Sequence, residues 1–402
     1  MYQRGFSLMK KKNILVIGMI CIAFLIVSST ISIACSGFTI RKDGTVLIAH
    51  NKDWWSPDTY IHVYPSTEDA YGRLFLEIPY PHIFNNEYMV LAGGFNEHGL
   101  CYESYVTPFN LASFEFFKPP LFKSPVDHIL QTCTTVEEVI SYIESHNLFF
   151  VNYILCSGQI FVIDRLGDAA IIEGDDIIRI NGEYQVCTNF LQSSPELGNY
   201  PCWRYDLLTH ALQNITEPSI PLFESLLESV ELFTQYSWIF NPSEDILHLY
   251  HFHNYTHSIS LNLTEEFSKP AHTYYLPELF EPLENTAPLK PSKPLGPING
   301  DIKTEYLFET QTTDADNPQS ELYYQWDFGD GSEPYWIYSN GEYNASRIHA
   351  WKKPGTYQIR VKARDIYGKE SPWSDGLTIT ITRISAHNYN LTSLFLFQKF
   401  ID

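Results

Sequence analysis

Cys35 stands where an apolar N-terminal run meets ordinary soluble sequence, in ISIACSGFTI (31–40). Three chemistries are open to a cysteine at such a junction. It can carry a lipid anchor, form one half of a disulfide, or act as a nucleophile at a new N-terminus once the preceding residues are removed. The third needs a base, because a thiol is mostly protonated near neutral pH. An N-terminal cysteine brings its own, since an α-amine with a pKa of roughly 7.7 is poised to take up a proton there. MKKKN (9–13) is a basic start, and the apolar run 14–34 ends with Ser32 and Ala34, which suit cleavage just before Cys35. Lipoprotein processing normally sets a leucine-like residue where Ser32 stands, which weighs against the anchor. Uncut, the run is long enough to span a bilayer, so membrane attachment through residues 14–34 stays open.

Other chemistries have less to stand on. Five more cysteines follow (Cys101, Cys133, Cys156, Cys187 and Cys202) without a C-x-x-C pair, as two disulfides and a thiol or as buried apolar residues. His251, His253 and His257 share one face of a strand-like stretch. No carboxylate or cysteine completes the set, so they read as packing histidines; neither a metal nor another cofactor is expected. No Gly-rich phosphate loop or G-x-S-x-G elbow occurs. The formal charge is −21. Residues 1–34 hold Arg4, Lys10, Lys11 and Lys12 and no acid, so without them it becomes −21 − 4 = −25. A body that acidic repels phosphate backbones and argues against nucleic acid as a partner.

These residues need elements to hold them. At 402 residues, with 44% hydrophobic and 15% aromatic content, the chain has room for two or three domains with cores of their own. Residues 35–275 read as one block. SGFTI, GTVLIAH, EYMVLAGGF, QIFVIDR and DAAIIEG alternate as strands. SPVDHILQTC, TTVEEVISYIESH, CWRYDLLTHALQ and PLFESLLESVELF carry helical spacing, with a capping-box start at Thr134/Thr135 ahead of Glu137/Glu138. Mixed strands and helices argue for a layered α+β domain. Residues 276–300 are proline-rich and read as a semi-rigid linker; residues 301–383 alternate like an all-β sandwich; 384–402 form a short apolar tail. Five N-x-S/T triplets (Asn214, Asn254, Asn262, Asn344, Asn390) fit an exported, glycosylated, secreted or cell-surface protein.

YYQWDFGDGSEPYW, followed by His349 and Gly355-Thr356-Tyr357, resembles the PKD family of immunoglobulin-like domains. The resemblance implies an extracellular spacer or adhesive module, with a cell-surface, polysaccharide or protein contact and no chemistry of its own. Asp327 and Asp330 read there as turn caps rather than calcium ligands.

From Cys35 the chain runs CSGFTIRKDGTVLIAHNKDWW. This resembles the opening of the N-terminal-nucleophile amidases: choloylglycine hydrolases, penicillin V acylases and the acyl-coenzyme A:6-aminopenicillanic-acid acyltransferases. Asp43-Gly44 stands at their hairpin turn and Asn51-Lys52-Asp53 at their N-x-D. GGFNEHGLCYES (93–104), the G-D-x-x-x-x-E of residues 167–173 and Thr188-Asn189 follow in the family's order. His50 replaces the arginine of the choloylglycine hydrolases, which shifts the likeness toward the acyltransferases.

The resemblance implies an αββα sandwich beginning at Cys35 and a small-molecule amide substrate. It assigns catalysis to Cys35, Asp53, Asn189 and Arg204, and the substrate side to His50, Asn51, Asn96 and Tyr102. Asp53 would orient the amine. Asn189, with a backbone N–H near residues 102–104, would hold the oxyanion. Arg204 would bind a substrate carboxylate or pair with Asp53. Hydrolysis and acyl transfer stay open, because they share one acyl-enzyme. A catalytically silent surface scaffold with the same fold is the alternative.

Overall fold

The computed structural model describes residues 35–383 apart from 81–87, 109–111, 114, 122–123, 149–157, 283, 317–321, 333, 335 and 340–343. The expected signal segment 1–34, the tail 384–402 and Cys156 lie outside the described residues. The chain is built mostly of strands, with six α-helices among the described residues.

The first strand, β1 (Ser36–Lys42), turns into β2 (Thr45–Asp53) at Asp43 and Gly44, whose φ values of 50° and 84° suit a tight hairpin. β3 (Tyr60–Tyr64), β4 (Arg73–Tyr80), β5 (Tyr88–Asn96) and β6 (Cys101–Tyr105) then run as a meander. Helices α1 (Val126–Thr132) and α2 (Val136–Glu144) follow, the second opening with a capping box between Thr135 and Glu138. Next come β7 (Gln159–Ile163), β8 (Ala169–Glu173), β9 (Asp176–Arg179) and β10 (Tyr184–Thr188), then α3 (Trp203–Gln213) and α4 (Ile220–Ser229). β11 (Thr234–Asn241), β12 (Ile246–His251), β13 (Ser258–Asn262), α5 (Leu263–Ser268), β14 (His272–Tyr275) and α6 (Leu276–Phe280) complete the first part.

Its strands make two sheets. One has the order β10-β1-β2-β11-β12-β13, the other β14-β3-β4-β5-β6-β7-β8-β9. Alternation along β2 explains how they stack. Val46 and Ile48 join Trp238, Phe240, Leu74, Leu76, Phe95 and Ile171 in a cluster drawn from both sheets. Their neighbours Leu47 and Ala49 instead meet Leu208, Phe223 and Leu227 of α3 and α4. The other sheet does the same, with Phe75, Tyr102 and Val162 packed on Val126, Ile129, Val139 and Ile140 of α1 and α2. A period of two, apolar on both faces, is what a sheet covered on both sides requires.

The second part is an immunoglobulin-like sandwich. β15 (Asn299–Asp301), β16 (Tyr306–Gln311), β17 (Tyr323–Asp327), β18 (Trp336–Tyr338), β19 (Asn344–His349), β20 (Gly355–Arg364) and β21 (Leu377–Thr382) form a five-stranded sheet, β15-β21-β20-β17-β18, and a β16-β19 pair. Phe308, Trp351, Ile359, Val361 and Ile379 fill its core. Asp327 Oδ1 accepts from Gly329 N (2.8 Å) and Asp330 Oδ1 from Ser332 N (3.0 Å), so both cap turns; Arg360 and His349 take their other oxygens.

The stretch 276–300 is not a free spacer. Its first residues form α6, with proline in the first turn, where a missing N–H is tolerated. Leu289, Ser292 and Leu295 then donate their amides to Thr313, Gln311 and Glu309, so the chain lies along β16.

Candidate active site

Cys35 enters the sheet one residue before β1. Ser36 pairs with Asn51 of β2, so the strand ends bring Cys35 to the neighbourhood of Lys52 and Asp53. Its Sγ donates to the Asp53 carbonyl at 3.8 Å, and its side chain belongs to the cluster between the sheets. Burial pushes the thiol up to about 11; Lys52 opposes that, and Asp53 and Glu103 add to it. In this setting the sulfur is held as a thiol and needs a proton acceptor before it can attack.

Asp53 ends β2 and is fully buried. Its Oδ1 accepts from Thr234 Oγ1 at 2.5 Å. Its Oδ2 has no hydrogen-bond partner among the described residues, and Arg204 Nη1 lies 3.9 Å away. Burial raises the carboxyl to about 7 against the lowering effects of Thr234 and Arg204. Arg204, in the first turn of α3, donates Nη1 to the Cys35 carbonyl (2.6 Å) and to Ser36 Oγ (2.7 Å). Its Nη2 reaches Asn189 Oδ1 at 3.3 Å, and Asn189 Nδ2 donates to the Val106 carbonyl at 2.8 Å. Glu173, from the expected G-D-x-x-x-x-E, fixes the loop beyond Asn189 by accepting from Gln192 N and Ser193 N, both at 2.8 Å. Arg204 thus stands between the other three residues assigned to catalysis. It holds the carbonyl side of Cys35, not its amine side.

Sequence reasoning passed over a second buried group. Lys52, about 2% exposed, lies 3.7 Å from Glu103 Oε2 and 3.4 Å from the Ser104 carbonyl. Burial lifts Glu103 to about 7, with Lys52 as the main opposing charge. His50, two residues along the same strand, has Nδ1 3.0 Å from Tyr105 Oη and stacks on Trp238 at 5.6 Å. Burial and Lys52 hold its pKa well below the ordinary value, so the imidazole is neutral. The available signal was a lysine two places from a histidine inside a strand apolar on both faces.

Three expected substrate residues sit elsewhere. Asn51 faces the helices, donating to the Leu227 carbonyl (2.8 Å) and accepting from Ser237 Oγ (2.6 Å). Asn96 staples a turn to α1: its Nδ2 reaches the Leu130 and Cys133 carbonyls, and its Oδ1 accepts from His98 N and Leu100 N. Tyr102 packs among α1 and α2. Residues 102 and 103 are paired with β5 and β7 on their two sides and so lie inside the sheet, while Ser104 pairs with Ile160 of β7. Each of these residues is therefore committed to the fold.

Cys101, Cys133, Cys187 and Cys202 are free and buried, which settles those four as packing thiols. His251 stacks on Phe280 and His253 on Phe252, and among the described residues no group of three or more suits a metal ion.

Comparison with known proteins reaches one part of the chain. Residues 293–381 match the family model of the PKD domain. The PKD domain of an M14-like peptidase from a Thermoplasmatales archaeon is 33% identical, over 25% of this chain and 100% of that one, with a TM-score of 0.21. The PKD domain of the human VPS10 domain-containing receptor SorCS2 is 17% identical, over 26% and 85%, with a TM-score of 0.19. No curated protein matches the chain.

Proposed function

We propose that this chain, whose residues 293–381 belong to the PKD domain family, is an exported cysteine amidohydrolase. It opens linear amide C–N bonds, or transfers their acyl group, from Cys35. Residues 35–275 would then be an N-terminal-nucleophile domain. Two stacked sheets with helices on both outer faces fit the αββα arrangement such a domain needs.

One observation carries the reading: Asp53 Oδ2 is buried, accepts no hydrogen bond among the described residues, and belongs to the residue whose carbonyl meets Cys35 Sγ. A buried carboxylate oxygen without a donor is costly. A neutral α-amine released at Cys35 supplies the donor, and it faces that oxygen with a positive charge once it has taken up a proton. The amine takes the thiol proton as sulfur bonds to the amide carbon. Collapse of the tetrahedral oxyanion breaks the C–N bond, and the ammonium returns the proton to the departing amine. Water, or an acceptor amine, then resolves the thioester.

Intact mass and N-terminal sequencing of the protein from its native host test this first. A chain beginning at unmodified Cys35 is expected, with Cys35→Ala inactive against an amide panel. A chain beginning upstream, or a lipidated Cys35, removes the base and leaves the silent surface scaffold as the better reading.

A further inference from the structure

The segment after Asp53 is held from the far side by the PKD domain. Tyr323 and Arg364 are register partners on β17 and β20, so they stand side by side on one sheet. Tyr323 is fully buried and donates its hydroxyl to Gln235 Oε1. Gln235 marks a break in register between β11 and β2, where Thr234 pairs with Asp53 and Tyr236 with Lys52. Its Nε2 donates to the Trp54 carbonyl (2.9 Å) and to the Phe233 carbonyl (3.1 Å), while Trp54 N donates to Phe233 O (3.1 Å). The residue before Gln235 is Thr234, whose hydroxyl sits on Asp53 Oδ1. A bulge re-aims its neighbours' side chains, and this one aims Thr234 at the carboxyl.

Two further ties reach the same segment. Arg364 Nη1 is 3.0 Å from both Asp58 oxygens, and its Nη2 donates to Ser56 Oγ at 3.4 Å. Phe252, whose φ of 53° is strained for an aromatic residue, packs with Tyr323 and Trp336 and donates its amide to the Gln235 carbonyl at 2.9 Å. The PKD domain therefore grips the bulge through Tyr323 and residues 56–58 through Arg364.

We infer that the PKD domain is a positioning part of the Cys35 site. Through Tyr323–Gln235–Thr234 and Arg364–Asp58 it fixes where Asp53 and Trp54 stand beside the nucleophile. The inference rests on the proposed amidase reading for its catalytic meaning, and not for the coupling itself. It assigns this module a task that a spacer does not have.

The test uses the whole chain with Tyr323→Phe, Arg364→Lys and, as a control, Tyr357→Phe, whose hydroxyl donates to Lys353 O within the PKD domain. Two readouts are taken: amide hydrogen exchange over residues 53–58 and 233–236, and the pH profile of Cys35 alkylation by iodoacetamide. Tyr323→Phe and Arg364→Lys should speed exchange in those segments roughly twofold to thirtyfold with the rest of the chain unchanged. They should also shift the alkylation profile, and Tyr357→Phe should do neither. Unchanged exchange in both variants overturns the inference. Faster exchange with Cys35 equally unreactive in all proteins upholds the coupling and instead removes the nucleophile reading.

Discussion

At the scale of residues, two buried carboxyls dominate the neighbourhood of Cys35, and they make a prediction about pH. Asp53 and Glu103 both stand at about 7 in the fold, chiefly through burial, against roughly 3.9 and 4.3 in an unfolded chain. The fold therefore binds their protons more tightly than the unfolded chain does. Their stabilising contribution is complete below about pH 4 and is lost as the pH rises through about 7. Asp53→Asn removes one of the two titrations, so the fall in urea midpoint between about pH 5 and about pH 8 should be shallower in the variant. Asp365, raised by burial to about 6, is present in both proteins and cancels in the comparison. An equal fall in both proteins would show that Asp53 is not held protonated by the fold. Cys35, Asp53 and Asn189 could be singled out because short motifs carry them, whereas Arg204 had only its place just after Cys202. Lys52 and Glu103 were not, because a charge inside a strand reads as solvent-facing until the second sheet is in place.

At the scale of elements, the gap between the sheets near Cys35 is set by what β1 leaves out. Gly37, two residues beyond Cys35, pairs with His50 on one side and Cys187 on the other. A Cβ there would run into the Tyr105 hydroxyl, the group in contact with His50. Gly37→Ala should therefore cost stability on the order of 1–3 kcal/mol by overpacking. Tyr105→Phe, which takes away the obstructing oxygen, should cost about 1 kcal/mol alone through the lost hydrogen bond. If the two sites share that contact, the double variant loses less than the two single losses added, as read from denaturant midpoints. Strict additivity would mean that strand β1 yields elsewhere. The hairpin at Asp43-Gly44, the capped helices and the alternating strands could all be read locally, since turn chemistry and period are properties of short stretches. The strand order could not, because β10 pairs with β1 across 140 residues or more and nothing in either strand names its neighbour. The proline-rich stretch misled for a related reason: its prolines suit both an open linker and the edge-following course it takes along β16.

At the scale of the whole molecule, the sequence divides cleanly into two domains, while their junction is invisible in it. Asp58 and Arg364 are 306 residues apart, and either one alone is an ordinary charge beside a strand. Brought together, Arg364 becomes a nearly buried cation, about 5% exposed, with its guanidinium 4.3 Å over the Trp336 ring and both Asp58 oxygens in reach. Phe252, Tyr323 and Trp336 pack beside it. An aromatic cluster next to an ion pair whose arginine is nearly buried resembles a domain core more than a transient contact, so the two parts should melt together. Calorimetry of the protein is expected to give one transition. Arg364→Ala takes away the cation beside Asp58 and the guanidinium packed on Trp336, and should split that transition into two. The lower-melting half identifies which domain borrows stability from the other. Two resolved transitions already present in the unaltered protein would mean that the junction is no stronger than a tether, and the site at Cys35 would then be held by its own domain alone.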